Sequence, residues 1–131
     1  MAVSEYLLLM RSSHWGDDLS PAELQNAMGQ FTAWLEDLTS RQVLRSGQPL
    51  ADDGFVVSSR KQGAMMDGPF VETKEAVGGY LIFRANSIDQ AIEEARKCPA
   101  IQHGLVIEVR PIIDFCPMME ETGMLFANPE A

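Results

Sequence analysis

Val77-Gly78-Gly79-Tyr80-Leu81-Ile82-Phe83-Arg84-Ala85-Asn86-Ser87-Ile88-Asp89-Gln90 runs an almost unbroken apolar segment straight into a helix start. From Val77 to Ala85 apolar side chains fall on both alternating faces, the pattern of a central strand covered on two sides. Ser87 then supplies an N-cap and Gln90 the far arm of a capping box, so a helix opens directly behind the strand. Ile88, Ala91, Ile92 and Ala95 form its expected buried face, and Pro99 stops it. Leu105 to Ile112 returns as a strand, with Leu105, Ile107 and Val109 on one face and Val106, Glu108 and Arg110 on the other.

The same order occurs earlier in the chain. Ser4 to Met10 reads as a first strand, again apolar on both faces. Ser20-Pro21-Ala22-Glu23 combines an N-cap serine, a proline at the first helical position and a glutamate three residues after the cap. The helix it opens carries Leu24, Met28, Phe31, Leu35 and Leu38 at alternating spacings of four and three, widened by Ala27 and Trp34, and ends near Ser40. Val43 to Leu50 is a second strand that leaves the sheet early at Gly47 and Pro49. Phe55 to Ser59 and Ala64 to Asp67 flank Arg60-Lys61-Gln62-Gly63 as an inserted hairpin. Two β-α-β units around a hairpin predict an α+β fold: a ferredoxin-like antiparallel sheet with both helices on one face. The expectation is one domain over residues 1–112 and a C-terminal tail over 113–131 that packs on the domain or on a dimer partner.

The dimer follows from that layout. Two helices cover one sheet face, yet Tyr6-Leu7-Leu8-Leu9 and Tyr80-Leu81-Ile82-Phe83 present apolar side chains on both. Burial against a second copy gives a two-fold homodimer. The alternative is that Phe115, Met118, Met119, Met124, Leu125 and Phe126 fold back as a lid, although Pro117, Gly123 and Pro129 argue against one long helix there.

Composition narrows the function classes. At 131 residues with 46% apolar and 22% charged residues, the chain is large enough for one core. The apolar run Tyr6 to Met10 is too short for a membrane span or a secretory signal, which makes a cytoplasmic location the expectation. A formal charge of −9 and scattered cations argue against nucleic-acid binding. Cys98 and Cys116 lie too far apart for a CxxC motif and are expected to be reduced and structural. With two separated histidines and no HxH or HExxH there is no metal motif, and no GxGxxG, P-loop or GxSxG announces a cofactor or a nucleophile elbow.

The most specific segment is Asp67-Gly68-Pro69-Phe70-Val71-Glu72-Thr73-Lys74-Glu75-Ala76-Val77-Gly78-Gly79-Tyr80, a rigid Gly-Pro turn, a charged stretch and a double glycine. With Cys98-Pro99 and Glu108-Val109-Arg110-Pro111, it resembles the signature of the DGPF subgroup of the YCII-related family, named for the residues seen here as Asp67 to Phe70. The resemblance covers residues 4 to 112 and implies a dimeric α+β barrel. It further implies a His-Asp pair in a cleft for the wider group, with lyase or dehalogenating steps on cyclic substrates in a few members. Genes of DGPF members often lie beside extracytoplasmic-function sigma factors, which implies a link to transcription control.

Two catalytic candidates follow. His14, just past the first strand beside Trp15, can shuttle a proton near neutral pH. Asp67 can orient it or act as a base if burial raises its pKa; alternatively it bonds its own downstream N–H groups and fixes the turn. Lys74 and Glu75, with Tyr80 nearby, are the substrate-binding candidates, against the bland reading of a solvated charge cluster. Arg11, one residue past the first strand, is a candidate for an anion pocket. His103 reads as a turn residue, and Glu108 with Arg110 as an ion pair at the sheet edge or dimer seam. Two functions compete: a small-molecule enzyme using acid-base chemistry of lyase, isomerase or hydrolase type, and a non-catalytic protein that binds a metabolite or docks a partner.

Overall fold

The computed structural model describes residues 3–12, 14–57, 59, 65–66 and 77–120. The element order is β1 Ser4–Arg11, α1 Pro21–Ser40, β2 Leu44–Pro49, β3 Val56–Val57, β4 Met65–Met66, β5 Val77–Ala85, α2 Ile88–Arg96, a 3-10 turn Pro99–His103, β6 Val106–Pro111 and α3 Pro117–Glu120. Four strands form one sheet in the order β2-β5-β1-β6, every neighbouring pair antiparallel. That order, reached by two β-α-β crossovers, is the ferredoxin-like arrangement anticipated from the sequence. The inserted hairpin is present as well, with Val56 opposite Met66 and Val57 opposite Met65.

Register decides which residues meet the helices. Leu8 faces Leu81 on β5 and Val109 on β6, and Tyr6 faces Phe83. Tyr6, Leu8 and Met10 of β1 and Leu81, Phe83 and Ala85 of β5 form one core with Trp34 and Leu38 of α1 and Ala91 and Ala95 of α2. Both helices therefore lie on the same sheet face. Phe83, Leu8 and Leu38 are the largest fully buried side chains, each worth about 1.5–3 kcal/mol of hydrophobic stabilisation.

Helix ends follow local chemistry. The Ser20 hydroxyl accepts from the Glu23 N–H at 3.2 Å and the Glu23 carboxylate accepts from the Ser20 N–H at 2.9 Å, closing the expected capping box. At α2 the Ser87 hydroxyl accepts from the Gln90 N–H, but the Gln90 side chain reaches one residue further back, to the Asn86 N–H at 2.6 Å. The buried face of α2 also differs from the reading. Ile88 is 38% exposed, because it starts the helix beyond the end of β5, whereas Glu94 is buried.

The reason Glu94 tolerates burial is Arg41, the C-cap of α1. Its guanidinium forks onto both Glu94 oxygens at 2.8 and 2.9 Å and also holds Asp37 at 2.7 Å. Arg41 keeps the Glu94 carboxyl below the usual glutamate range. The Trp34 indole N–H donates to the Glu94 carbonyl at 3.3 Å, so one residue ties the two helices by both side chain and backbone.

Strands β2 and β5 approach closely where Gly47 and Gly79 stand. A Cβ on Gly47 would lie 2.7 Å from the Tyr80 carbonyl oxygen and 2.5 Å from Leu81 Cδ2, whereas one on Gly29 in α1 would meet nothing within 4 Å. Opposite outcomes are expected in denaturant unfolding. Gly47→Ala costs about 1–3 kcal/mol by overpacking, and Gly29→Ala gains roughly 0.5–1 kcal/mol through lost unfolded-state freedom. Equal effects of the two substitutions would contradict the packing described.

Candidate functional site

The end of β1 is where the backbone becomes irregular. The pairing with β5 shifts between Met10 and Arg11, and Ser12 adopts φ 131°, a conformation that non-glycine residues seldom hold. Its hydroxyl accepts from the His14 N–H at 3.1 Å, and the Asp17 N–H returns to the His14 carbonyl at 3.2 Å. The chain is thus turned off the sheet and folded into a tight corner that carries His14.

Two carboxylates meet the imidazole there. Nε2 lies 3.1 Å from Asp52 Oδ2 and Nδ1 lies 3.4 Å from Asp17 Oδ2, all three side chains being at least half exposed. Asp52 comes from the segment after β2, so the contact depends on tertiary structure. Sequence reasoning missed both acids. Asp17, three residues from His14, was open to a local search; Asp52 had no spacing signal to give it away.

Beside this cluster lies a cavity of about 740 Å³ between α1 and the ends of β1, β2 and β5. Its walls include Ser12, Trp15, Asp17, Leu24, Met28 and Phe31. The α1 stripe explains why it exists. Ala27, Trp34 and Leu38 are buried, but Leu24 and Met28, expected to pack in the same stripe, remain 38% and 43% exposed. The apolar face of the helix is longer than the strands beneath it fill, and the surplus borders the cavity. Trp15 is held on the far wall, its ring 6.2 Å from Phe31 and stacked at 6.1 Å and 20° on His103.

The other named candidates fall in different places. Asp67, Lys74 and Glu75, with the rest of the Asp67 to Phe70 turn, lie outside the described residues. Tyr80 contributes to the cavity wall, although strand alternation sends its side chain to the face opposite Leu81. Arg11 is not at the cavity: its guanidinium meets Glu108 at 2.6 Å across the β1-β6 pair. Arg110 lies 4.0 Å from the same Glu108, the sheet-edge ion pair anticipated from the sequence. His103, read as a turn residue, ends the 3-10 turn and is half-buried against Trp15.

A second cavity of about 910 Å³ sits at the opposite end of the sheet near Arg41, Arg84 and Asn86. Its volume is greater, but Arg41 is committed to Glu94 and Asp37, and no histidine or cysteine is among the described residues that border it. Among the described residues no group of three or more His, Cys, Asp or Glu side chains is placed to hold a metal ion. Burial pushes the Cys98 thiol up, which keeps it in the unreactive protonated form. Among the described residues no helix is long and apolar enough to cross a membrane.

The structure of 5-chloro-2-hydroxyhydroquinone dehydrochlorinase from Burkholderia phenoliruptrix, in complex with 2,5-dihydroxybenzoquinone, is similar at 18% identity. That match covers 84% of this chain and 94% of the other, with a TM-score of 0.44. No curated protein matches. The model of the YCII-related domain, however, matches residues 6–116, from within β1 to beyond the end of β6, and the chain belongs to the YCII-related domain family.

Proposed function

We propose that this protein is a small-molecule enzyme that moves a proton between His14 and a ligand held in the cavity beside it. The observation that carries the reading is an imidazole placed between two carboxylates, one of which, Asp17, lines a largely apolar cavity. The two contacts are unequal. Asp52 at 3.1 Å lies within hydrogen-bond range and orients the ring through Nε2, whereas Asp17 at 3.4 Å is beyond it. Nδ1, on the side of Asp17 and the cavity wall, is therefore the nitrogen that exchanges its proton with ligand. Asp67, Lys74, Glu75 and Tyr80 remain proposed contributors from the glycine-bounded loop and the strand that follows it.

The same layout supports a homodimer. Leu7, Leu9, Tyr80 and Ile82 alternate onto the sheet face that neither helix covers, and they are half-buried there. A second reading, a docking protein linked to sigma-factor-dependent control, draws support from exposed Ile113, Phe115 and Met118 after β6.

Proton transfer is tested without knowing the natural substrate by following deuterium uptake from D2O at the acidic C–H positions of a panel of cyclic ketones by NMR. Wild type is expected to accelerate exchange in at least one, and His14→Gln to lose about 100-fold or more of that rate. Asp52→Asn, which removes the orienting charge, is expected to lose at least about tenfold and to move the His14 ring resonances while leaving those of His103 in place. Exchange that is indifferent to His14 would overturn the reading and favour the docking alternative.

A further inference from the structure

We infer that the Ser12 hydroxyl donates a hydrogen bond to the ligand oxygen that gathers negative charge as His14 takes a proton from a neighbouring carbon, which makes the ligand a carbonyl compound with an acidic C–H. This rests on the reading of His14 as the proton acceptor and adds a second group to the same site.

Placement comes first. Ser12 follows directly on β1 and borders the cavity together with Asp17, the carboxylate that lies beside His14 Nδ1. The reacting nitrogen and the hydroxyl therefore belong to one corner of the chain. Short backbone bonds brace that corner: the Ser12 N–H donates to the Met10 carbonyl at 3.2 Å and the Asp17 N–H to the His14 carbonyl at 3.2 Å. Groups set on a braced turn need not be ordered when ligand arrives.

Direction follows from the bond that the hydroxyl already makes. Its oxygen accepts from the His14 N–H at 3.1 Å. A hydroxyl carries one proton and two lone pairs, so accepting from this amide turns its own proton away from it. An oxygen that accepts from an N–H is also a better donor, because linked hydrogen bonds polarise one another.

Backbone strain at the same residue is the independent observation. Ser12 holds φ 131°, an angle that glycine adopts freely and that strains any side chain. Strain of this kind gathers where a side chain is used, and the hydroxyl is what serine offers here that glycine does not.

The chemistry needs such a donor. When the proton passes to His14 Nδ1, the C–H electron pair forms a C=C bond and the C=O π pair moves onto oxygen. Return of a proton, or of a deuteron from D2O, to the carbon reverses both shifts and restores the ketone. Negative charge on the oxygen is greatest in between, so a fixed donor there lowers the barrier more than it strengthens ground-state binding.

The test follows deuterium exchange into the cyclic ketone that wild type exchanges fastest, in full-length Ser12→Cys, Ser12→Ala and Ser12→Gly beside His14→Gln. Ser12→Ala and Ser12→Gly are each expected to lose about tenfold or more, mainly in kcat with KM little changed. Ser12→Cys keeps the shape with a weaker donor and is expected to fall between Ser12→Ala and wild type. Ser12→Gly is expected to unfold about 2–5 °C above Ser12→Ala, since both lose the hydroxyl and only glycine relieves the strain. The His14 ring resonances are expected to stay in place in Ser12→Ala. Loss of exchange with those resonances displaced would make Ser12 a support for His14 and overturn the donor role, and equal unfolding midpoints would contradict the strain on which the inference stands. Exchange that depends on His14 and not on Ser12 overturns this inference alone. Exchange that depends on neither, or a protein that accelerates exchange in no ketone, overturns both this inference and the proposed function.

Discussion

A helix of 20 residues and one of 9 can cover one face of a four-stranded sheet and no more, and that limit organises this molecule. The central strands β1 and β5 are apolar on both faces, so their register with each other decides what the helices bury and what they leave. Leu8, Phe83 and Leu38 are fully buried on the covered side. The helices are held in one orientation above it by the Arg41 fork onto Glu94 and by the Trp34 indole on the Glu94 carbonyl. Breaking that fork would strand a buried carboxylate, which costs far more than the pair itself contributes.

The proposed chemistry sits where this packing runs out. Beyond Met10 the ladder slips, Ser12 is forced to positive φ, and the chain turns to present His14 rather than continue the strand. On the same side the apolar stripe of α1 outlasts the strands, so Leu24 and Met28 line a cavity instead of a core. Strain and unfilled apolar surface are costs to stability, and both fall at one place. They coincide there with an imidazole held between two carboxylates, whereas the described lining of the more voluminous cavity at the opposite end holds no histidine.

The elements were legible in the sequence because their signals are local. Ser20 to Glu23 and Ser87 to Gln90 mark helix starts, and the unbroken apolarity of Val77 to Ala85 marks a central strand, whatever the rest of the chain does. Connectivity rules then leave few sheet orders, and the observed one is among them. What could not be read were the effects of tertiary juxtaposition. Periodicity placed Leu24 and Met28 in the core because it measures the helix alone and not the length of the strands below. Glu94 carries no sign of burial until Arg41 is seen to reach it from another helix. Asp52 becomes the partner of His14 only when the segment after β2 is brought against the end of β1. The partner anticipated for His14, Asp67, lies outside the described residues, so the two assignments are not in competition.

The uncovered face is the most direct consequence of the one-sided arrangement. Leu7, Leu9, Tyr80 and Ile82 line it, with the Glu5-Arg45 pair toward one end and the Arg11-Glu108 pair toward the other. Sedimentation equilibrium of the wild-type protein and of Leu9→Asp measures whether a second copy buries it. A homodimer through this face gives twice the chain mass of 14.5 kDa for wild type and a single chain mass for the folded variant. A wild-type protein that stays at one chain mass at micromolar concentration, or a variant whose association is unchanged, would contradict it.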